Sequence, residues 1–255
     1  MTDEFVTSEI KNQISIITFE TPKSNALPGK ILEKLAQTIL DEGSKKEVKA
    51  ILLKSAGEKS FCGGASFDEL LEIEELETSK KFFGGFAKVL NAMRTCRKIV
   101  VVRVQGKTTG GGVGIACAAD YCFGTENSAL ALTELNLGIG PFVIGPFVER
   151  KIGIAAFSAM ALDAEFRSAE WCLNHNIYNS ISNSIEEMDL KLEEFLNKLS
   201  SRTSEALALI KKVSWENSAH FEKLMPERIE MSARLILEDS AKANIEKIKE
   251  RLRNK

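Results

Sequence analysis

Apolar positions along this chain switch between a two-residue and a helical period, and the switches outline its elements. Residues 14–19 (Ile-Ser-Ile-Ile-Thr-Phe) are β-branched and aromatic and predict a strand that stops at Thr21-Pro22. Ile31, Leu32, Leu35, Ala36, Ile39 and Leu40 then share one face of a helix over 31–40. A second strand is predicted at 50–54, followed by a loop from Gly57 to Gly64. Phe82, Phe86, Val89, Leu90 and Met93 mark another amphipathic helix. A break is expected inside it at Gly84-Gly85, because each glycine costs about 1 kcal/mol relative to alanine. An apolar strand over 99–104 leads through a glycine turn into a small-residue helix, and short strands follow near 121–124 and 129–132. Strand, helix, strand in this rhythm implies an α/β core with parallel pairing.

The pattern changes after about residue 150. Helices are predicted over 188–199, 204–214, 226–237 and 241–252, with one further strand at 176–182. This helical third reads as a surface for packing against another subunit. The division expected is a core over 1–190 and a helical oligomerisation region over 191–255.

Composition narrows the functional classes. The 255 residues are 44% apolar and 27% charged, with a formal charge of −2, the balance of a soluble globular chain without a nucleic-acid footprint. The basic end, Lys247 to Lys255, alternates with Glu246 and Glu250 and reads as a solvated helix end. Five cysteines form no C-x-x-C pair, and His175 and His220 are the only histidines, so spacing assembles no metal site. The acidic start, Met1 to Phe5, is neither a signal nor a transit peptide, and no apolar run spans a bilayer. A reduced, cytoplasmic protein is expected, with no membrane and no nucleic acid among its partners.

The densest signal is Thr109-Gly-Gly-Gly-Val-Gly-Ile-Ala-Cys-Ala-Ala-Asp120. Glycines 110, 111 and 112 let backbone approach a ligand, and the helix start leaves N–H groups free at the positive end of its dipole. Such donors can hold a developing negative oxygen. Two nucleotide motifs fail here. A phosphate-binding loop ending at Gly106-Lys107-Thr108 needs a glycine where Val101 stands, and the dinucleotide fingerprint needs one where Ile115 stands.

Three segments at matching places extend the signal: Ser24-Asn25-Ala26-Leu27 after the first strand, Phe61-Cys62-Gly63-Gly64-Ala65-Ser66-Phe67 after the second, and the glycine turn after the third. Together they resemble the enoyl-CoA hydratase/isomerase, or crotonase, family, and the likeness continues through Leu132-Thr133-Glu134-Leu135-Asn136-Leu137-Gly138-Ile139. The resemblance implies an α/β fold, a spiral of repeated ββα units with a helical C-terminal trimerisation region, assembled as trimers or hexamers. It implies acyl-CoA thioesters as substrates, with coenzyme A as part of the substrate and no separate cofactor or metal. It places the backbone N–H groups of Ala65 and Gly111 around a thioester enolate. Substrate contacts are implied at Lys23, Ser24, Ala26, Leu27, Gly64, Ser66, Phe67 and Gly112.

Two departures from the family pattern bear on chemistry. Asp68 stands where relatives often carry a lysine for phosphate. Gly114 stands where hydratases hold the first of two catalytic glutamates, while the second maps to Glu134. One carboxylate beside an enolate-stabilising hole is the minimum for a 1,3-proton shift. The stretch Leu137-Gly138-Ile139-Gly140-Pro141-Phe142 also resembles the acyl-pocket wall of Δ3-Δ2-enoyl-CoA isomerases, so Pro141 and Phe142 are assigned to that pocket. A single-base isomerase is the leading expectation. If Asp68, Glu69 or Glu149 reaches the cavity, hydration of a short or branched enoyl-CoA, such as a methylglutaconyl substrate, becomes the better reading. An acyl-CoA-binding protein without catalysis is a third.

Overall fold

The computed structural model describes residues 4–253, so Met1–Asp3 at the acidic start and Asn254–Lys255 at the basic end lie outside it. Among the described residues ten strands make two sheets. The larger contains β1 (Phe5–Lys11), β2 (Ile14–Glu20), β3 (Ala50–Ser55), β5 (Ile99–Val104), β7 (Tyr121–Thr125) and β10 (Ser180–Ser182), in that spatial order. The smaller contains β4 (Ser60–Cys62), β6 (Lys107–Thr109), β8 (Ala129–Ala131) and β9 (Arg167–Ser168). The first turn of the chain gives both its strands to the large sheet, and from β3 onward each turn gives one strand to each sheet. Thus β3, β5 and β7 pair in parallel in one, while β4, β6 and β8 pair in parallel in the other. The helices Gly29–Ser44, Leu76–Thr95 and Gly111–Ala118 follow successive strand pairs, which makes the structure a spiral of ββα units.

The central strands β3 and β5 of the large sheet are buried on both faces, while edge strand β1 is mostly exposed, and strand alternation decides which residue goes where. Ile17, Phe19, Ile51, Leu53, Val100 and Val102 face the main core with the helices. Ile14, Ala50, Leu52, Ile99 and Val101 face the opposite way, onto Met188, Leu192 and Leu196 of the helix Ile185–Ser200. This two-sided burial explains why β5 runs Ile99, Val100, Val101 and Val102 without alternating, and why its one charge, buried Arg103, is paired with Asp189.

The C-terminal helices Ser204–Trp215, Phe221–Leu235 and Asp239–Arg253 pack on the chain's own body. Trp215, Phe221 and Met225 enter the main core, and Ile236, Ala241 and Ile245 cover Leu70, Ile73 and Ile139. Asp120 fastens this layer. It accepts hydrogen bonds from the Val100 N–H (2.8 Å) and the Trp215 indole (2.8 Å), and it pairs with buried Lys211.

Several sequence expectations are corrected. The helix Leu76–Thr95 runs unbroken through Gly84-Gly85, because Gly85 earns its place by contact: a Cβ there would come within 2.7 Å of Leu32 Cδ1 on the neighbouring helix. The expected strand over 176–182 shortens to Ser180–Ser182. Strand β1, with no counterpart among the expected elements, is an antiparallel edge strand on β2. Helices Gly145–Ile152 and Ile154–Asp163, with no counterpart among the expected elements, follow the Pro141-Phe142 segment.

Candidate active site

The first component is built by a left-handed turn. Lys23, Ser24 and Asn25 all have positive φ (58°, 66° and 58°), a conformation that costs roughly 1–2 kcal/mol per non-glycine residue. Buried Asn25 holds the turn in place. Its Oδ1 accepts from the Thr21 N–H, and its Nδ2 donates to the carbonyls of Ala56 (3.0 Å) and Ser60 (3.1 Å). The turn in turn grips the next loop. Gly63 N–H donates to Ser24 O, Leu27 N–H to Gly64 O, and Ser66 N–H to Leu27 O. Ala65 is thereby pinned between two bonded neighbours, and among the described residues its own N–H has no hydrogen-bond partner.

The second component is the glycine turn. Gly110 sits at φ 53°, ψ −122°, a conformation essentially reserved for glycine, and caps the helix Gly111–Ala118. The N–H groups of Val113 and Gly114 both donate to Gly110 O, whereas that of Gly111 has no partner among the described residues. The two loops are close. A Cβ on Gly64 (φ 84°) would lie 3.2 Å from Thr109 O and 3.7 Å from Gly111 N. Two unpaired amides from distant turns therefore border one space, the arrangement an oxyanion requires.

Glu134 opens a short 3-10 turn, Glu134–Leu137, just after β8. A Cβ on Gly110 would lie 3.4 Å from its Oε1, so the carboxyl group stands beside the glycine turn. The residue is half-buried overall, but Oε2 is sealed from solvent and has no hydrogen-bond partner. Burial raises the pKa from 4.5 to about 7, and its own backbone N–H offsets this only in part. A carboxyl group that is half ionised near neutrality suits removal and return of a proton.

These groups line one cavity of about 340 Å³, together with Gly64, Ala65, Gly111, Pro141 and Phe142. Its apolar walls include Leu70, Phe82, Phe83, Phe86 and Ile144. Among the described residues Glu134 is the only carboxylate on that lining. Asp68 pairs with Lys23 at an exposed rim, and Glu69 Oε2 accepts from the Gly29 N–H at 2.8 Å. Glu149 is exposed on the helix Gly145–Ile152 and faces a different cavity. Gly114, where the first hydratase glutamate would stand, is packed shut. A Cβ there would meet Ile144 Cγ2 at 2.8 Å and Leu90 Cδ1 at 3.2 Å.

A second cleft adjoins the cavity through Gly63, Ala65 and Phe67 and carries Lys23, Ser24, Ala26 and Ser66 on its walls. Two residues assigned to substrate contact lie elsewhere. Leu27 is fully buried in the main core and acts through its backbone pairing with Ala65. Gly112 packs against Cys62, whose Cβ would be 2.7 Å from a Cβ at 112. Ser66 also has a local task, since its Oγ accepts from the Glu69 N–H at the start of the helix Phe67–Leu71. Asn25 lies in one of the family-like segments, but its part as a brace rests on bonds to the carbonyls of Ala56 and Ser60, far along the chain, which no local pattern signals. The five cysteines are all buried, with the Cys62 and Cys117 thiols pushed up to about 12 by desolvation, and none serves as a nucleophile candidate.

A model of the enoyl-CoA hydratase/isomerase family matches residues 9–254. The short-chain-enoyl-CoA hydratase of Clostridium acetobutylicum is 30% identical over 206 residues, covering 80% of this chain and 78% of that protein. A carnitinyl-CoA dehydratase of Salmonella paratyphi A is 30% identical over 200 residues, covering 77% of this chain and 75% of that protein. The crystal structure of an enoyl-CoA hydratase from Bacillus halodurans superposes with a TM-score of 0.88 at 20% identity, over 94% of this chain and 98% of the other. The chain belongs to the enoyl-CoA hydratase/isomerase family.

Proposed function

We propose that this protein is an enoyl-CoA isomerase that moves the double bond of a 3-enoyl-CoA to the 2-position with Glu134 as its only acid–base group. The observation that carries this reading is that Glu134 is, among the described residues, the single carboxylate on the cavity lining, while Ile144 and Leu90 fill the space a side chain at Gly114 would need. The thioester oxygen would sit between the N–H groups of Ala65 and Gly111, with coenzyme A along the cleft at Lys23–Ala26 and Ser66–Phe67. Glu134 carboxylate takes a proton from C2, and the electron pair passes into a dienolate whose oxygen accepts both hydrogen bonds. The carboxylic acid then returns a proton to C4, and the enolate collapses to the conjugated 2-enoyl thioester. No atom is gained or lost.

A second reading is hydration of a 2-enoyl-CoA, favoured by relatives named as a hydratase and a dehydratase. The two are separated by offering the protein 3-enoyl- and 2-enoyl-CoA thioesters of short, long and branched chains. The isomerase reading expects conjugation of the 3-enoyl thioester, lost in Glu134→Gln, and no incorporation of oxygen-18 from labelled water. Rapid labelled hydration of a 2-enoyl-CoA would overturn it.

Assembly into trimers or hexamers is part of the proposal, and exposed Leu162, Ile210 and Val213 give copies an apolar surface to bury. Sedimentation of the purified chain tests it, and a monomer at micromolar concentration would contradict it.

A further inference from the structure

Adjoining the cavity that holds Glu134 is a second pocket of about 670 Å³, bordered by Phe157, Phe221 and Leu224 and, on its polar side, by Glu149, Arg150 and Arg228. Pro141 and Phe142 are common to the walls of both. Buried Pro141 fixes the backbone, and half-buried Phe142 supplies a ring large enough to partition the two spaces. The ring's pose depends on the residue before the proline. Phe142 N–H donates to Gly140 O at 2.8 Å, a tight turn that folds the ring back over Gly140. A Cβ on Gly140 would overlap that ring, reaching its Cε1 within 2.7 Å. Gly140 is not among the residues with positive φ, so alanine fits its backbone and the far end of the phenylalanine must move instead.

We infer that Phe142, held in place by the absence of a side chain at Gly140, sets the longest acyl chain this site accepts. The inference rests on the acyl-CoA reading of the site and adds its specificity: short chains end against the ring, and the second cavity stays out of reach. Opening the partition would join the two cavities and let a longer chain bury further methylenes, each worth about fourfold in affinity when fully buried.

Saturated acyl-CoAs test this independently of the reaction, because they bind without a proton shift. Dissociation constants would be measured by calorimetry for chains of four to twelve carbons, on the wild type, Phe142→Ala and Gly140→Ala. In the wild type affinity should stop rising at a short chain. In both variants the plateau should move to longer chains, tightening the twelve-carbon ligand at least tenfold relative to the four-carbon one. Phe142→Leu should shift it less in the same direction, and it replaces Phe142→Ala if that variant does not fold. Affinity that climbs steadily to twelve carbons in the wild type, or variants that leave the plateau unmoved, would overturn the inference. Failure of every acyl-CoA to bind would instead count against the acyl-CoA reading itself.

Discussion

Ile144 occupies the space into which a side chain at Gly114 would project, its Cγ2 standing 2.8 Å from where the Cβ would be. The missing acid is therefore a packed position and not an empty socket. Restoring the residue should fail to restore a hydratase. Gly114→Glu would drive a carboxylate into the apolar contact of Ile144 and Leu90, and even Gly114→Ala should cost about 1–3 kcal/mol through overpacking. Denaturant unfolding and a hydration assay on the two variants check this; hydratase activity gained by Gly114→Glu would refute it.

Gly111 is equally constrained. A side chain there would overlap the ring of Phe86, so substitution must displace either that ring or the amide bordering the cavity. Gly111→Val should lower kcat by roughly a hundred- to a thousandfold, the usual effect of losing one oxyanion donor. Ala65→Val should act in the same direction by crowding the other amide. Steady-state kinetics beside circular dichroism will show whether the loss is catalytic or a failure to fold.

The raised pKa of Glu134 makes two signed predictions. As the base must be ionised in the free enzyme, kcat/KM should rise with pH through about 7 and then level off. Stability should run the other way. Between 4.5 and about 7 the folded protein binds more protons at this site than the unfolded chain, so stability is full below 4.5 and falls as pH rises through 7. The whole difference is worth roughly 3 kcal/mol. Glu134→Gln cannot ionise, so its melting temperature should exceed that of the wild type at pH 8 by more than at pH 5. Equal differences at the two pH values would contradict the desolvated carboxylate.

Asp120 should prove structural. Asp120→Ala would leave Lys211, whose side chain is 3% exposed, as an unpaired buried charge, and would orphan the Trp215 and Val100 N–H groups. A loss of about 3–5 kcal/mol is expected from urea unfolding. Replacing Lys211 with methionine in the same background should recover part of it.

What could be read before the fold was known follows from how local each feature is. The N–H of Gly111 is freed by a helix start written in consecutive glycines, and Glu134 stands in a continuous segment, so both were legible. The ends of Leu27 and Gly112 were not, because whether a side chain meets ligand or core depends on strands and helices far away in the chain. Gly84-Gly85 misled for the same reason: intrinsic propensity argues for a break, but contact with Leu32 holds the helix together. The walls contributed by Phe82, Phe83, Ser232 and Ile248 come from helices whose apolar faces looked like ordinary core or subunit contact.

A 3-enoyl-CoA carrying deuterium at C2 offers the most direct test of the proton path. If one shielded carboxyl group, with Oε2 closed to solvent, both removes and delivers the proton, part of the deuterium should appear at C4 of the 2-enoyl product in single-turnover mass spectra. The same substrate should be left unconverted by Glu134→Gln. Conversion by that variant at the wild-type rate would show that some other group moves the proton.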